Sequence, residues 1–339
     1  MKILILKPSS LGDVIQALPV LRLLKLHWPR SQIFWWIDSS LAPLLEGDSD
    51  LTGVVRFERN TWASPVHWPE IWRSVRWMRN QAFDLVVDLQ CLARSGAFAW
   101  LANGRLLIGL DEPREGARGF YDLIVMRPSF HTHAVDWYLG VLKLLNVPVH
   151  WSFDWLPERR DVADEVKRKW MDGNARWIVI QPGARWPNKR WPVEHYAELV
   201  RRLGSAHPDL RFAILGGEDE RELGSAIARV DSSRCVNLTG RLSLPEMIEC
   251  VRLGGMMVSN DTGPMHAAAA LRKPVVVLFG PTEPHRTGPY GQLAGVVQHN
   301  LPCIPCMKPY CTYSKPLECL RAISPSVIIE RVEQQLARR

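Results

Sequence analysis

The 339-residue sequence contains no run of about 18 apolar residues, the length that a membrane-spanning helix needs. Its first apolar segment, residues 2–6, ends at Lys7 and Pro8 and is too short for the core of a secretion signal. We therefore interpret this segment as the first strand of a cytoplasmic protein. Internal repeats and low-complexity segments are also missing, and 47% apolar with 23% charged residues is typical of a folded globular protein.

Charge of one sign is not concentrated anywhere. Lys and Arg outnumber Asp and Glu by 16 to 14 in residues 1–150 and by 26 to 21 in the remainder, for a net charge of +7. Without a lysine-rich tail or a dense basic stripe, this charge is mild for a dedicated nucleic-acid binder, and we expect no nucleic-acid partner. It suits an anionic ligand or a membrane surface.

Short apolar runs alternate with helical patterns along the whole chain. This alternation predicts parallel sheets with helices on both faces, so the predicted fold class is α/β. The aperiodic segment 146–160, with its two prolines, is the best domain boundary. We expect an N-terminal domain over residues 1–155, a C-terminal domain over 156–324, and a C-terminal helix within 325–339 that packs back on the first domain.

Two polar turns lie in opposite halves of the chain, each between an apolar strand and a helix. They are Ser9–Asp13 and Asn260–His266. In parallel sheets, ligands bind outside the carboxyl ends of the strands, where both turns lie. If the domains face each other, the turns meet in one cleft, and the sequence therefore predicts an active site built from two α/β units.

Asp13 has two interpretations. It opens a helix, where a carboxylate can act as a cap and is favoured by the helix dipole. In a cleft it would instead serve as a general base. Gly12 permits a tight turn and close backbone approach, although Ser9–Asp13 does not match the dinucleotide pattern G-x-G-x-x-G.

Other strand-to-helix turns also carry candidate ligands. The amides at the start of the helix after Asn260 could bind a diphosphate or belong only to a well-capped helix. Arg185 and Lys189 could neutralise a phosphate leaving group or form a solvated basic loop. Gly216–Glu220 suits ribose recognition or a helix start. Residues 48–50 have the form D-x-D, a motif that binds metal in some sugar transferases. Because no predicted strand leads into this segment, we predict a plain turn.

Four of the seven cysteines are clustered with the spacing C-x2-C-x4-C-x7-C. They are Cys303, Cys306, Cys311 and Cys319. In a cytosolic protein, a compact group of thiols favours a structural zinc or iron site over disulfides, although this spacing is irregular for standard zinc ribbons. The remaining cysteines lie in apolar contexts and are predicted to be buried thiols.

Tryptophans alternate with arginines in the segment 62–79. The set is Trp62, Trp68, Trp72 and Trp77 with Arg73, Arg76 and Arg79. Such a segment could lie on an anionic bilayer surface or face the core of the first domain, and we expect the core for most of these tryptophans.

Several of these segments, in order over nearly the full length, resemble the lipopolysaccharide heptosyltransferases of glycosyltransferase family 9. They are Lys7–Val14 followed by Leu18-Pro19, Asp88–Ser95, His131–Asp136, Lys189–Pro192, Asp261–His266 and Phe279–Thr282. The resemblance implies a GT-B architecture of two facing Rossmann-like domains. It also implies inverting transfer of heptose from ADP-heptose to an anionic inner-core (Kdo/heptose) acceptor, with no cofactor for catalysis, by a peripheral protein at the cytoplasmic face of the inner membrane.

The resemblance also implies roles for individual residues. Asp13 would be the base that deprotonates the acceptor hydroxyl, and Lys189 would hold the diphosphate as a second catalytic residue. The donor-binding set is Asp261, Thr262, Gly263, His266, Glu220, Leu242 and Arg185. The acceptor-binding set is Ser10, Gly12, Gln90, Arg94 and His133.

Two features depart from the family pattern. Cys91 stands where a glycine is usual, and the four-cysteine cluster is not part of the core of the best-known heptosyltransferases. The second departure leaves open a branch with another acceptor, including a protein. The alternatives are a nucleotide-sugar epimerase and a non-catalytic nucleotide-sugar binding protein. A transferase of the same fold with another nucleotide sugar is a further alternative.

Overall fold

The computed structural model describes residues 1–58, 61, 64–172 and 175–337. The chain divides into two compact units, Met1–Pro157 and Glu158–Arg339. This division lies two residues beyond the boundary that the sequence predicts. Trp62, one of the tryptophans discussed above, lies outside the described residues.

The first unit is built on a parallel sheet. Its elements are β1 Lys2–Leu6, α1 Leu11–His27, β2 Gln32–Asp38, β3 Gly53–Phe57, α2 Trp68–Gln81, β4 Leu85–Asp88, α3 Ala93–Leu101, β5 Leu106–Leu110, β6 Leu123–Val125 and α4 Ala134–Leu144. The strand order is β3-β2-β1-β4-β5-β6. β1 occupies a central position and is apolar at every residue from Ile3 to Leu6, as expected for a strand that is covered on both faces.

The second unit repeats this plan. Its elements are α5 Arg160–Lys169, β7 Arg176–Gln181, α6 Val193–Ala206, β8 Leu210–Ile214, α7 Arg221–Ala228, β9 Cys235–Asn237, α8 Leu244–Leu253, β10 Met256–Asn260, α9 Gly263–Ala270, β11 Val275–Phe279, α10 Pro284–Thr287, β12 Val296–Gln298, α11 Glu318–Arg321 and α12 Pro325–Leu336. The order β12-β11-β10-β7-β8-β9 is that of the first sheet read from its other edge.

The C-terminal helix α12 belongs to the core of the second unit. Ile328, Ile329 and Val332 are buried there, and α12 packs against α6. The apolar side of the helix is therefore already used within this unit, and its expected return to the first domain stays a prediction.

In each sheet, the strand order reverses between two central strands: β1 and β4 in the first unit, β7 and β10 in the second. At such a point the connections leave the sheet in opposite directions and open a crevice at the carboxyl edge. The turns after β1 and β4 contain Ser9–Asp13 and Asp88–Ser95. The turns after β7 and β10 contain Lys189 and Asp261–Gly263. The topology thus brings the predicted motifs of each unit to one edge.

The D-x-D sequence is a turn, as predicted, and its carboxylates bind a buried arginine. Arg22 of α1 contacts Asp48 through both terminal nitrogens (2.7 and 2.5 Å) and Asp50 at 2.7 Å. Its Nε also donates to the carbonyl of Trp155 at 3.1 Å. Because both carboxylates neutralise this guanidinium, the turn serves the packing of the first unit.

The tryptophans of α2 correct a prediction. Val75 and Met78 are buried in the core, but Trp72 is 66% exposed and Trp68 is 56% exposed, so the expectation that most tryptophans face the core was wrong. Trp77 is also partly exposed and packs edge-on against Phe34. Trp72 lies about 120° around the helix axis from Met78, outside the buried side of α2. Trp68 lies in the first turn of α2, and the buried residues of this helix, Val75 and Met78, lie farther along it.

Candidate active site

The carboxylate of Asp13 is held in the first turn of α1. Its Oδ2 accepts hydrogen bonds from the backbone N–H of Ser10 at 3.0 Å and from the Ser10 hydroxyl at 2.8 Å. The helix dipole also favours a negative charge at this position. Asp13 is only partly buried, so the cap that orients it leaves the residue accessible from solvent. Capping and a role as base are therefore compatible.

A buried lysine beside Asp13 was missed by the sequence analysis. Lys7 is 4% exposed, and its Nζ donates to the carbonyl of Leu89 at 2.9 Å and lies 4.8 Å from the Tyr138 ring centre. Burial acts to lower the pKa of Lys7, but Tyr138 and Asp13 outweigh burial and raise it. The structure thus places a positive charge near the Asp13 carboxylate.

Asp88 organises the neighbouring turn after β4. Its Oδ1 accepts from the backbone N–H groups of Gln90 (2.8 Å) and Cys91 (3.0 Å), and its Oδ2 accepts from the Tyr121 hydroxyl (2.9 Å). Burial raises the pKa of Asp88. Since the side chain is fully enclosed by these partners, it shapes the turn rather than meeting a ligand.

The structure explains how Cys91 occupies a position where glycine is usual in the family pattern. Cys91 adopts φ of +55°, the left-handed region that favours glycine. Its thiol donates to the Asp88 carbonyl at 2.8 Å, and its sulfur accepts from Leu110 N–H at 2.9 Å. Burial raises the pKa of this thiol above its ordinary value. Two hydrogen bonds of the sulfur therefore hold Cys91 in a backbone conformation that glycine adopts more easily.

The predicted acceptor residues start from three neighbouring elements of the first unit. Gln90 follows β4, and its Oε1 is buried without a hydrogen-bond partner among the described residues. Arg94 is exposed on the first turn of α3, with its guanidinium 5.8 Å from the Phe57 ring. His133 precedes α4, and its Nδ1 accepts from Val135 N–H at 3.2 Å, so this histidine has a capping function. Gln90 is thus the predicted acceptor residue with visible unused hydrogen-bonding capacity.

In the second unit, Lys189 and Thr282 share one oxygen of Asp261. The Lys189 Nζ lies 2.5 Å from Asp261 Oδ2, and the Thr282 hydroxyl donates to the same oxygen at 2.6 Å. Asp261 is 6% exposed, and these partners offset the free-energy cost of burying its charge. Lys189 also lies 4.8 Å from the Trp186 ring centre. Two predicted residues are thus brought together, and Thr282 joins them.

Asn260 links the turn after β10 to the segment after β7 by hydrogen bonds. The sequence analysis assigned it no role of its own. It is fully buried at the end of β10, where its Oδ1 accepts from Trp191 N–H at 3.1 Å and from the Tyr196 hydroxyl at 3.0 Å. Its Nδ2 donates to the Pro182 carbonyl at 2.6 Å. A polar residue at a strand end just before Asp261 was the available signal.

The start of α9 lies beside this ion pair. Thr262 is the extended residue before the helix, which begins at Gly263, so the first amides of α9 open next to Asp261. Amides in this position are suited to phosphate oxygens. His266 is mostly buried within the helix, whereas Arg185 is exposed on the loop after β7.

Glu220 occupies the next turn along the sheet edge. Its Oε2 accepts from Gly217 N–H at 3.0 Å and from Gln181 Nε2 at 3.3 Å. A Cβ on Gly183 would lie 1.8 Å from Glu220 Oε1, so a larger residue at position 183 would displace the Glu220 carboxylate from this position. Leu242 follows β9 and is half-buried. The predicted donor residues therefore occupy the ends of consecutive strands, from β10 through β7 and β8 to β9.

The four clustered cysteines line one cavity of about 100 Å³. Burial, together with the other three thiols, raises the pKa of the Cys319 thiol to about 11. The thiols line the cavity without closing on one point, since in the described part of the second unit no three ligand atoms of His, Cys, Asp or Glu lie within 4.8 Å of one another. Four thiols around a small cavity fit a structural zinc or iron ion, which would draw them together.

Comparisons with known proteins agree on one family. The family model described as glycosyltransferase family 9 (heptosyltransferase) matches residues 71–316. Lipopolysaccharide heptosyltransferase 1 of Pseudomonas aeruginosa is 29% identical over 365 residues, covering 99% of this chain and 98% of that protein.

Two solved structures have the same fold. Escherichia coli ADP-heptose LPS heptosyltransferase II matches with a TM-score of 0.80 at 23% identity, over 100% of this chain and 99% of that one. E. coli heptosyltransferase WaaC with ADP-2-deoxy-2-fluoro heptose matches with a TM-score of 0.74 at 23% identity, again over 100% and 99%. These likenesses confirm the predicted α/β fold class of the GT-B type.

We expect the purified protein to contain about one zinc or iron ion per chain, bound by the clustered thiols. Removing the ion with a chelator under reducing conditions should lower the unfolding temperature, because ion binding contributes to folding free energy. Elemental analysis and thermal unfolding measure both effects. Cys235→Ser, at a cysteine outside the cavity, should leave the ion content unchanged. Ion-free protein with an unfolding temperature insensitive to chelation would contradict the site.

Proposed function

The chain belongs to glycosyltransferase family 9, the heptosyltransferases, and we propose that it transfers heptose from ADP-heptose to an anionic inner-core acceptor of lipopolysaccharide. The observation that carries the proposal is the donor-side arrangement of the second unit. There a lysine, a threonine and the start of a helix surround one buried carboxylate. This arrangement suits a nucleoside diphosphate, whose charge needs cations and aligned amides.

We propose a single displacement that inverts the anomeric carbon. The acceptor hydroxyl oxygen forms the new bond to that carbon as its proton passes to the Asp13 carboxylate. The bond from the anomeric carbon to the phosphate oxygen breaks, and ADP leaves with the electron pair. Lys189 and the first amides of α9 compensate the charge that develops on ADP. These residues supply the acid–base and electrostatic work without a catalytic metal.

On the donor side, we assign the diphosphate to Lys189, Thr262 and Gly263. Asp261 would contact the sugar, because it already lies against Lys189. Glu220 and Leu242 would hold ribose and adenine, since both follow strands on the far side of β7. On the acceptor side, the unpartnered oxygen of Gln90 can accept a hydrogen bond from a sugar hydroxyl, and the exposed positive charge of Arg94 suits an anionic sugar.

We also propose that the first unit meets the anionic membrane in which this acceptor is anchored. None of the helices among the described residues is long and apolar enough to cross a bilayer. Helix α2 exposes Trp68 and Trp72, and Arg76 and Arg79 lie on the same side of the helix by their spacing. Tryptophan and arginine side by side suit the headgroup region of an anionic bilayer.

Asp13→Asn should lower kcat roughly 100- to 10,000-fold, the range expected when a general base is removed. ADP affinity should stay nearly unchanged, because the assigned ADP ligands lie in the other unit. Transfer assays with a truncated lipid A core acceptor and calorimetric ADP titrations separate the two effects. The matched control is Asp161→Asn, in the first turn of α5. Full activity of Asp13→Asn would remove the assigned base.

Lys189→Met should lower kcat/KM for ADP-heptose roughly 100-fold or more, because one charge that stabilises the leaving group is lost. Lys189→Arg should recover part of the loss, which separates the charge from a folding defect. Lys167→Met, at a surface lysine of the same unit, is the control. Screening ADP-, UDP- and GDP-sugars in the same assay tests the donor. Transfer from a UDP- or GDP-sugar alone would contradict the ADP-heptose assignment.

Replacing Trp68 and Trp72 by serine, together with Arg76→Gln and Arg79→Gln, should weaken binding to anionic vesicles roughly tenfold or more, since each basic residue near such a surface contributes about 1 kcal/mol. Co-sedimentation with phosphatidylglycerol-containing and pure phosphatidylcholine vesicles measures the effect. Trp100→Ser is the control, because Trp100 is similarly exposed but lies at the end of α3. Equal binding of variant and wild type would exclude this surface.

A further inference from the structure

The loop from Cys303 to Leu317, here named the cysteine loop, is hydrogen-bonded to the candidate donor site at two places. The side-chain Nδ2 of Asn188 donates to the Lys308 carbonyl at 2.8 Å. The backbone N–H of Met307 donates to the Pro281 carbonyl, also at 2.8 Å. Met307 and Lys308 are adjacent, so both bonds start from one short stretch of the loop.

Each of these bonds ends one residue away from a side chain that holds Asp261. Asn188 precedes Lys189, and Pro281 precedes Thr282. Lys189 and Thr282 bind the same oxygen of Asp261 at 2.5 and 2.6 Å. The cysteine loop therefore supports both groups that pair with the buried carboxylate, although it contributes no ligand to Asp261 itself.

The cavity lined by the cysteines is bounded by the same donor-site segments. Asn188 and Pro281 line it together with Cys303, Cys306, Cys311 and Cys319. Asn188 is 5% exposed, and its Oδ1 has no hydrogen-bond partner among the described residues. Whatever fills the cavity is therefore in contact with the residue that precedes Lys189.

We propose that the four-cysteine cavity is a positioning element for the donor site, and that a thiolate-bound zinc or iron ion keeps Lys189 and Thr282 in place. The inference rests on the proposed function for both of its readouts, ADP affinity and transfer activity. Met307 and Lys308 lie between Cys306 and Cys311, so an ion held by these thiols fixes the stretch at both ends. The two hydrogen bonds then pass this restraint to the residues beside Lys189 and Thr282.

This restraint on the position of Lys189 is expected to affect the rate of transfer. Charge compensation for a leaving diphosphate depends on the placement of the lysine, and displacements of about 1 Å can cost roughly 100-fold in rate. Closing the short segment between two metal ligands removes much of the conformational freedom of Met307 and Lys308. The ion would act through geometry alone and would take no part in the transfer.

The decisive comparison uses two variants of the full-length protein and two readouts. Cys306→Ser removes a thiol ligand without touching the donor loops, whereas Asn188→Leu removes the bond to Lys308 and leaves all four cysteines. We expect Cys306→Ser to lose the ion and Asn188→Leu to retain it. Both should bind ADP about tenfold more weakly and show a similar loss in kcat/KM for the donor. Cys235→Ser should change neither quantity.

ADP affinity is measured by calorimetry, ion content by elemental analysis and folding by thermal unfolding. Unchanged ADP affinity in Cys306→Ser or after chelation, in protein that still melts cooperatively, would overturn the inference. So would a protein that takes up neither Zn²⁺ nor Fe²⁺. If wild type binds ADP in an ion-dependent way but transfers no heptose, the proposed reaction fails while the positioning role stands.

Discussion

The arrangement of the turns at the carboxyl edge of the second unit's sheet depends on the buried carboxylate of Asp261. A charge that is 6% exposed is costly unless it is paired, and here an ammonium and a hydroxyl meet one of its oxygens. Lys189 follows β7, Asp261 follows β10 and Thr282 follows β11. One interaction therefore aligns the carboxyl ends of three neighbouring strands. Asn260 reinforces the same junction with neutral hydrogen bonds, so the loops are held before any ligand arrives.

The first unit also contains a buried carboxylate, but its charge is compensated by different groups. Its central turn is built around Asp88, whose burial is compensated by two backbone N–H groups and the Tyr121 hydroxyl. Its positive charge, Lys7, is fully enclosed and lies near a partly exposed Asp13. In one unit the accessible group is a carboxylate supported by a hidden ammonium. In the other, a partly accessible ammonium is supported by a hidden carboxylate. This difference suits a proton acceptor on one side and charge compensation on the other.

Much of the fold and part of the candidate site could be predicted from the sequence. The alternation of apolar runs and helical patterns predicts two parallel sheets, and Ser9–Asp13 and Asn260–His266 lie at strand ends as expected. The exposed side of α2 was predicted wrongly, because the spacing of Trp72, Val75 and Met78 permits more than one buried face. Packing selected the face with Val75 and Met78. Lys7 was missed because a lysine just after a strand gives no local sign that it will be buried.

The types and order of the elements follow from local patterns in the chain, since apolar periodicity and glycine-containing turns act over a few residues. The same local patterns show which turns carry polar groups. The pairing of those groups, in contrast, depends on how the chain packs. Lys189 and Asp261 are 72 positions apart, and Asn188 and Lys308 are 120 positions apart. Lys189 and Asp261 meet because the strand order reverses between β7 and β10, and the order of strands in a sheet is a property of the packed chain that no local pattern encodes.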